Sequence, residues 1–198
     1  MKWIHSLGIA FSMYSKIPVP KVRWTNEAMQ YTFCFFPLVG VAEGALLWGM
    51  GMVLYGLRDR NRLPTIFVAI VLTILPLLVT GGIHMDGFLD TTDARRSYQE
   101  PEKKLAILKD PHTGAFALIG LGVYLLWSVA VWSVADRAVL PGMACAFVLS
   151  RTLSGLSVTL CKGAKKDGLA AAFHNTARER PVCVSTVCYL SGARVSYV

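Results

Sequence analysis

TIFVAIVLTILPLLVTGGIHMDGFLDTTDA, residues 65–94, is the stretch on which the fold turns. Residues 65–83 carry no charge, and a helix needs about 20 consecutive apolar residues to cross the hydrocarbon core of a bilayer. Directly behind this run come Asp86, Asp90 and Asp93. The first half therefore reads as a membrane span. The second half asks what three carboxylates do at the edge of a membrane.

Three further blocks read the same way. They are FCFFPLVGVAEGALLWGMGMVLYG (33–56), AFALIGLGVYLLWSVAVWSVA (115–135) and residues 138–161, the last with Arg151 inside it. The chain has 198 residues, 54% hydrophobic and only 16% charged, with a mean hydropathy of +0.49. That balance is too apolar for an ordinary soluble domain. The expected fold is all-α, a polytopic membrane helix bundle of about four transmembrane helices, forming a single domain over 1–198. At the N-terminus Trp3, Leu7, Ala10 and Tyr14 recur at helical spacing, with Ile4 and Phe11 beside them. They predict a short amphipathic helix, either lying on the membrane surface or packing as an ordinary helix. No signal-peptide cleavage site follows it. The tail 182–198 is broken by Gly192 and Arg194 and does not read as a span.

The formal net charge is +8. The basic residues lie between the apolar blocks, which points to anionic lipid and phosphorylated substrates; no nucleic-acid motif is present. Most lysines and arginines fall in 1–32, 84–114 and 162–181, whereas Arg58, Arg60, Arg62 and Arg137 fall in the alternate loops. The positive-inside rule then puts the N-terminus and the aspartates on the cytoplasmic side, although the 57–64 loop runs against it. The five cysteines are scattered without C-x-x-C spacing, so neither a disulfide framework nor a zinc site is expected.

In a straight helix, positions i, i+4 and i+7 share a face, and Asp86, Asp90 and Asp93 have that spacing. Carboxylates so placed repel unless neutralised. A hard cation such as Mg²⁺ does this with oxygen ligands and completes its shell with water or substrate phosphate. The plainer reading is a solvated acidic loop, but ionisable residues at membrane depth are functional candidates by default. His84 points nearly opposite to Asp86 in such a helix unless the Gly81–Gly82 pair breaks it. It reads as a packing or hydrogen-bonding residue, with substrate contact as its candidate role. In LKDPHTGAF (108–116), Lys109 offers a point charge to phosphate and Asp110 a further carboxylate, or the segment is only a polar helix boundary. Arg151 suits phosphate recognition, or it pairs structurally with Glu43. Lys165 and Lys166, in GAKKDGLAAAF (163–173), either hold anionic substrate or anchor the chain to headgroups.

These segments, in order, resemble the cobalamin synthase family of adenosylcobinamide-GDP ribazoletransferases. FSMYSKIPVP (11–20) is similar to the family's F-x-T-R-x-P-V-P segment, with Ser15-Lys16 in place of Thr-Arg. FFPLVG (35–40) resembles its first-span motif, and GGIHMDGFLDTTDA (81–94) its G-G-x-H-x-D-G-x-x-D-x-x-D signature. ILKDPHTGAFA (107–117) resembles the following K-D-S-x-x-G segment, with Pro111 where Ser is usual; Ser150-Arg151 and GLAAAF (168–173) also match. The resemblance covers about residues 3–175. It implies a Mg²⁺-dependent inner-membrane enzyme that joins GDP-cobinamide to α-ribazole or its 5'-phosphate and releases GMP. By resemblance Asp86, Asp90 and Asp93 hold the magnesium, with Lys109, Asp110 and Arg151 as companions.

Family members run longer, with further spans and a late G-D-x-x-G-A segment. Residues 176–198 lack both, so the tail is expected to be atypical and the domain incomplete there. Two other functions fit part of the pattern. A CDP-alcohol phosphotransferase needs D-G-x-x-A-R, but Asp86-Gly87 is followed by Phe-Leu-Asp. A cation carrier needs charges deep in several spans, and only Glu43 and Arg151 are so placed.

Overall fold

A computed structural model describes residues 1–163 and 168–195. The described residues form helices and no strands. In chain order these are α1 (Lys2–Tyr14), α2 (Asn26–Met29), α3 (Thr32–Asp59), α4 (Thr65–Thr80), α5 (Ile83–Arg96), α6 (Pro101–Ile107), α7 (Ala115–Val134), α8 (Leu140–Leu160), α9 (Leu169–Thr176) and α10 (Glu179–Val195). Thr32–Asp59, Ala115–Val134 and Arg137–Leu160 are each long and apolar enough to cross a membrane, and α4 with α5 makes a fourth such segment if the bent pair is one span. Along α7, Leu126, Trp127 and Val134 are 76%, 72% and 86% exposed. Apolar side chains so displayed suit hydrocarbon, where the helix satisfies its own backbone and its surface needs no water. The chain is a polytopic helical membrane protein.

The chain divides into two compact units, Met1–Gly49 with Ala138–Val198, and Met50–Arg137. In the first, Ile9, Ala10, Ala28, Phe33, Phe36, Val39, Phe173 and Val182 form the core. Phe33 and Phe173 meet as tilted rings at 5.4 Å and Tyr14 and Phe36 at 4.2 Å; full burial of a phenylalanine ring stabilises by roughly 1.5–3 kcal/mol. Of the two expectations for the N-terminal helix, packing is what α1 does: Ser6, Gly8, Ile9 and Ala10 are buried and Ser6 Oγ donates to the Ala28 carbonyl at 2.8 Å, while Trp3 and Ile4 stay exposed. Within α3, Gly40 and Gly44 lie against α8 so closely that a Cβ would come within 2.6 Å of the Phe147 carbonyl and 2.7 Å of the Ala144 carbonyl. This small-xxx-small pair lets two apolar helices touch backbone to backbone. The tail is more regular than expected, since residues 179–195 form α10, which packs on α8 and buries Val182 and Thr186.

In the second unit α7 packs on both α4 and α5. The span expected over 65–83 is shorter than the sequence suggests. Helix α4 stops at Thr80, giving 16 residues, or roughly 24 Å at 1.5 Å per residue. Gly81 (φ 65°) and Gly82 (φ 80°) both take left-handed conformations. Gly82 N–H bonds back to the Leu77 carbonyl at 2.9 Å, a Schellman-type closure. The chain then turns by 95° into α5. At the far end of α7, Arg58 donates to the Ala135 carbonyl at 3.2 Å and Arg137 pairs with Asp59.

Candidate active site

All three aspartates lie on one uninterrupted helix, α5. The expected shared face is therefore real, with Asp86 and Asp90 one turn apart and Asp93 just beyond. Asp86 sits in the first turn and Arg95 and Arg96 in the last, so each charge favours the nearer end of the helix dipole. The glycine break precedes His84 rather than separating it from the aspartates. His84 stays half-buried on the far side of α5, away from that face.

Helix α5 is fastened to α7 at two levels. Phe88 meets Tyr124 with ring centroids 6.1 Å apart, and Thr92 and Phe88 lie over Gly120, where a Cβ would stand 3.2 Å from Thr92. At the start of α7, Asp93 Oδ2 accepts from Gly114 N–H at 2.6 Å and Oδ1 from Ala117 N–H at 2.8 Å. The first amides of a helix lack partners within it. Gly114, at the cap position, has no side chain to satisfy them, and Asp93 does so from another helix.

Lys109 and Asp110 lie exposed in the segment between α6 and α7. Asp110 Oδ1 accepts from the His112 backbone N–H at 2.9 Å and contacts His112 Nδ1 at 2.7 Å. These bonds hold its carboxyl below the usual aspartate range. Asp110 is thus engaged in its own turn. Among the described residues, no three His, Cys, Asp or Glu side chains form a group that could hold a metal ion. Asp93 directs both oxygens at amides and Asp110 folds back on His112.

The donor chemistry nevertheless fits magnesium. Mg²⁺ commonly takes only one or two carboxylates and keeps water or phosphate in its other positions. Asp86 and Asp90, at i and i+4 with Cβ atoms about 5–6 Å apart by helix geometry, supply such a pair.

Arg151 and Glu43 belong to the first unit. Arg151 Nη2 donates to Glu43 Oε2 at 2.6 Å, and both side chains are buried. The pairing alternative is the one the structure shows. Arg151 also bonds Ser150 Oγ at 3.2 Å and lies over the Phe147 ring, while its Nε and Glu43 Oε1 are buried without a hydrogen bond. Lys165 and Lys166 lie outside the described residues. An open groove of about 330 Å³ is lined by Val41, Ala45, Trp48, Pro141, Ala144, Cys145 and Val148. It offers no charged group to a phosphate.

Two participants escaped sequence reasoning. His112 was read only as part of a polar boundary, yet D-P-H is an Asx-turn pattern in which the carboxylate meets the amide two residues on. Gly114 is the second. Its need is closeness: a Cβ there would stand 2.7 Å from both Asp93 oxygens.

The second unit is thus an apolar helix assembly with a carboxylate-bearing helix turned across the end of a short span. The chain belongs to the cobalamin-5-phosphate synthase family, whose model matches residues 6–197. That match continues beyond residue 175, into the tail. A relative from Lachnoclostridium phytofermentans is 48% identical over 190 residues, which is 96% of this chain and 71% of the relative. One from Desulfitobacterium hafniense is 33% identical over 90% of this chain and 70% of its own length. One from Clostridium perfringens is 35% identical over 61% of this chain and 47% of its own. All three are named adenosylcobinamide-GDP ribazoletransferase. No solved structure gives a significant match.

Proposed function

We propose that this chain is an adenosylcobinamide-GDP ribazoletransferase, joining GDP-activated adenosylcobinamide to α-ribazole or α-ribazole 5'-phosphate with release of GMP. The observation that carries this reading is the 48% identity extending over 96% of the chain, together with an aspartate helix whose first two carboxylates share a face. A hydroxyl of the ribazole sugar attacks the phosphorus attached to cobinamide. The new P–O bond forms as the pyrophosphate P–O bond to GMP breaks, and the hydroxyl proton passes to a carboxylate on the α5 face. Asp86 and Asp90 are the residues that would hold Mg²⁺, which when bound neutralises charge on the departing phosphate. Lys109 supplies a positive charge for phosphate in the segment tied to α5 through Asp93. Arg151 is committed to its bond with the buried Glu43. Lys165 and Lys166 would hold anionic substrate. The basic segments around α1, α5–α6 and 162–181 favour a cytoplasmic site in the inner membrane, in contact with anionic lipid.

Membranes containing this chain, given GDP-cobinamide and α-ribazole phosphate, should release GMP in the presence of Mg²⁺ and stop when a chelator is added. Asp86→Ala and Asp90→Ala should each abolish release while the chain still inserts. Undiminished release from both variants would remove the aspartate pair from the mechanism. No GMP from the unaltered chain would favour a carrier over a transferase.

A further inference from the structure

We infer that Asp93 is a positioning residue and not a metal ligand: it locks the roll of α5 so that Asp86 and Asp90 face the segment carrying Lys109. This rests on the reading of Asp86 and Asp90 as the magnesium-holding pair. Both oxygens of Asp93 are used, at 2.6 Å on Gly114 N–H and 2.8 Å on Ala117 N–H. Charge-assisted bonds of this length are the strong kind, and the N-terminal end of α7 favours an anion there. The two amides lie on a different helix start, 21 and 24 residues along the chain. The contact therefore joins two elements that the sequence separates. Two bonds to two amides resist rotation in a way that one cannot. Since Asp93 shares its face with Asp86 and Asp90, any roll of α5 that moves those two must break both bonds. The same anchor fixes the end of the segment 108–114, with Lys109 and the Asp110–His112 turn in it. Gly114 completes the device, because the three atoms nearest a Cβ placed there all belong to Asp93.

The test uses the full chain in detergent with Mn²⁺ as the probe for the metal. Two readouts are taken on Asp86→Asn, Asp90→Asn, Asp93→Asn and Gly114→Ala: Mn²⁺ affinity by electron paramagnetic resonance, and hydrogen exchange of peptides covering 108–117. Loss of Asp86 or Asp90 should weaken Mn²⁺ about tenfold or more and leave exchange unchanged. Asp93→Asn and Gly114→Ala should keep Mn²⁺ affinity within about threefold while exchange over 108–117 rises about tenfold or more. Gly114→Ala should also be nearly silent in an Asp93→Ala background, where the carboxylate it would strike is gone. Mn²⁺ binding lost in Asp93→Asn as fully as in Asp86→Asn, with 108–117 still protected, would overturn the proposal. So would full additivity of Asp93→Ala and Gly114→Ala. If the unaltered chain bound no Mn²⁺, the metal reading would fall alone, and the exchange and additivity results would still decide the role of Asp93.

Discussion

Asp110 and Gly87 show how far a single position can be read. Asp110 stands in a recognisable motif, and its carboxylate is a plausible ligand on paper. The D-P-H pattern in the string is the signal that His112 is near enough to occupy it. This bond has a pH signature. The folded carboxyl is held below its ordinary range by the His112 amide and ring, so the turn is favoured above the unfolded value of about 3.9 and is lost as pH falls through the lowered one. Protection of the His112 amide, taken relative to its intrinsic exchange rate, should therefore fall at acid pH, and Asp110→Asn should remove that dependence. Gly87 sits inside the signature, yet a Cβ there would meet nothing within 4 Å. Within α5 an alanine should stabilise by up to about 1 kcal/mol. Thermal denaturation of Gly87→Ala beside its GMP release then separates fold from function: a stable but inactive variant would mean that substrate needs the space.

At the scale of the element, hydropathy located the helices well because burial in lipid demands long uncharged runs, and α3, α7 and α8 lie where those runs lie. The early end of α4 was less legible. Residues 81–83 are as uncharged as those before them; the glycine pair offers a break, and the left-handed backbone at Gly81 and Gly82 makes it a corner. The helix spacing of the aspartates was fully legible, since period alone determines it. Their partners were not, because hydrogen bonds between α5 and α7 depend on which helices pack together. Gly82→Ala isolates the corner: its Cβ would stand in open space, so the cost is the conformation itself, about 1–2 kcal/mol. A drop in thermal stability of that order is expected. An unchanged midpoint would show that the corner tolerates another geometry.

At the scale of the whole molecule, the Glu43–Arg151 pair tests how the spans of the first unit stay together. Both side chains are buried, at 1% and 7% exposure. Removing one partner strands the other, which commonly costs about 3–5 kcal/mol, whereas replacing both with apolar residues is often neutral. Glu43→Gln and Arg151→Met should each lower the denaturation midpoint in detergent, and Glu43→Leu with Arg151→Met should recover most of it. If the recovered chain also recovers GMP release, the pair is structural; if it stays inactive, Arg151 serves substrate as well. The pair was half-legible, as two charges inside apolar blocks invite each other, but nothing in the string gives their 2.6 Å contact. The 95° corner between α4 and α5 has a last consequence. Were α5 a straight continuation of α4, Asp86 and Asp93 would differ by roughly 10 Å in depth along that axis. Turned nearly square to it, they keep almost one level, like fittings along a shelf. A bulky, water-soluble reactant can then meet all of that rim at once without sinking any part of itself into oil.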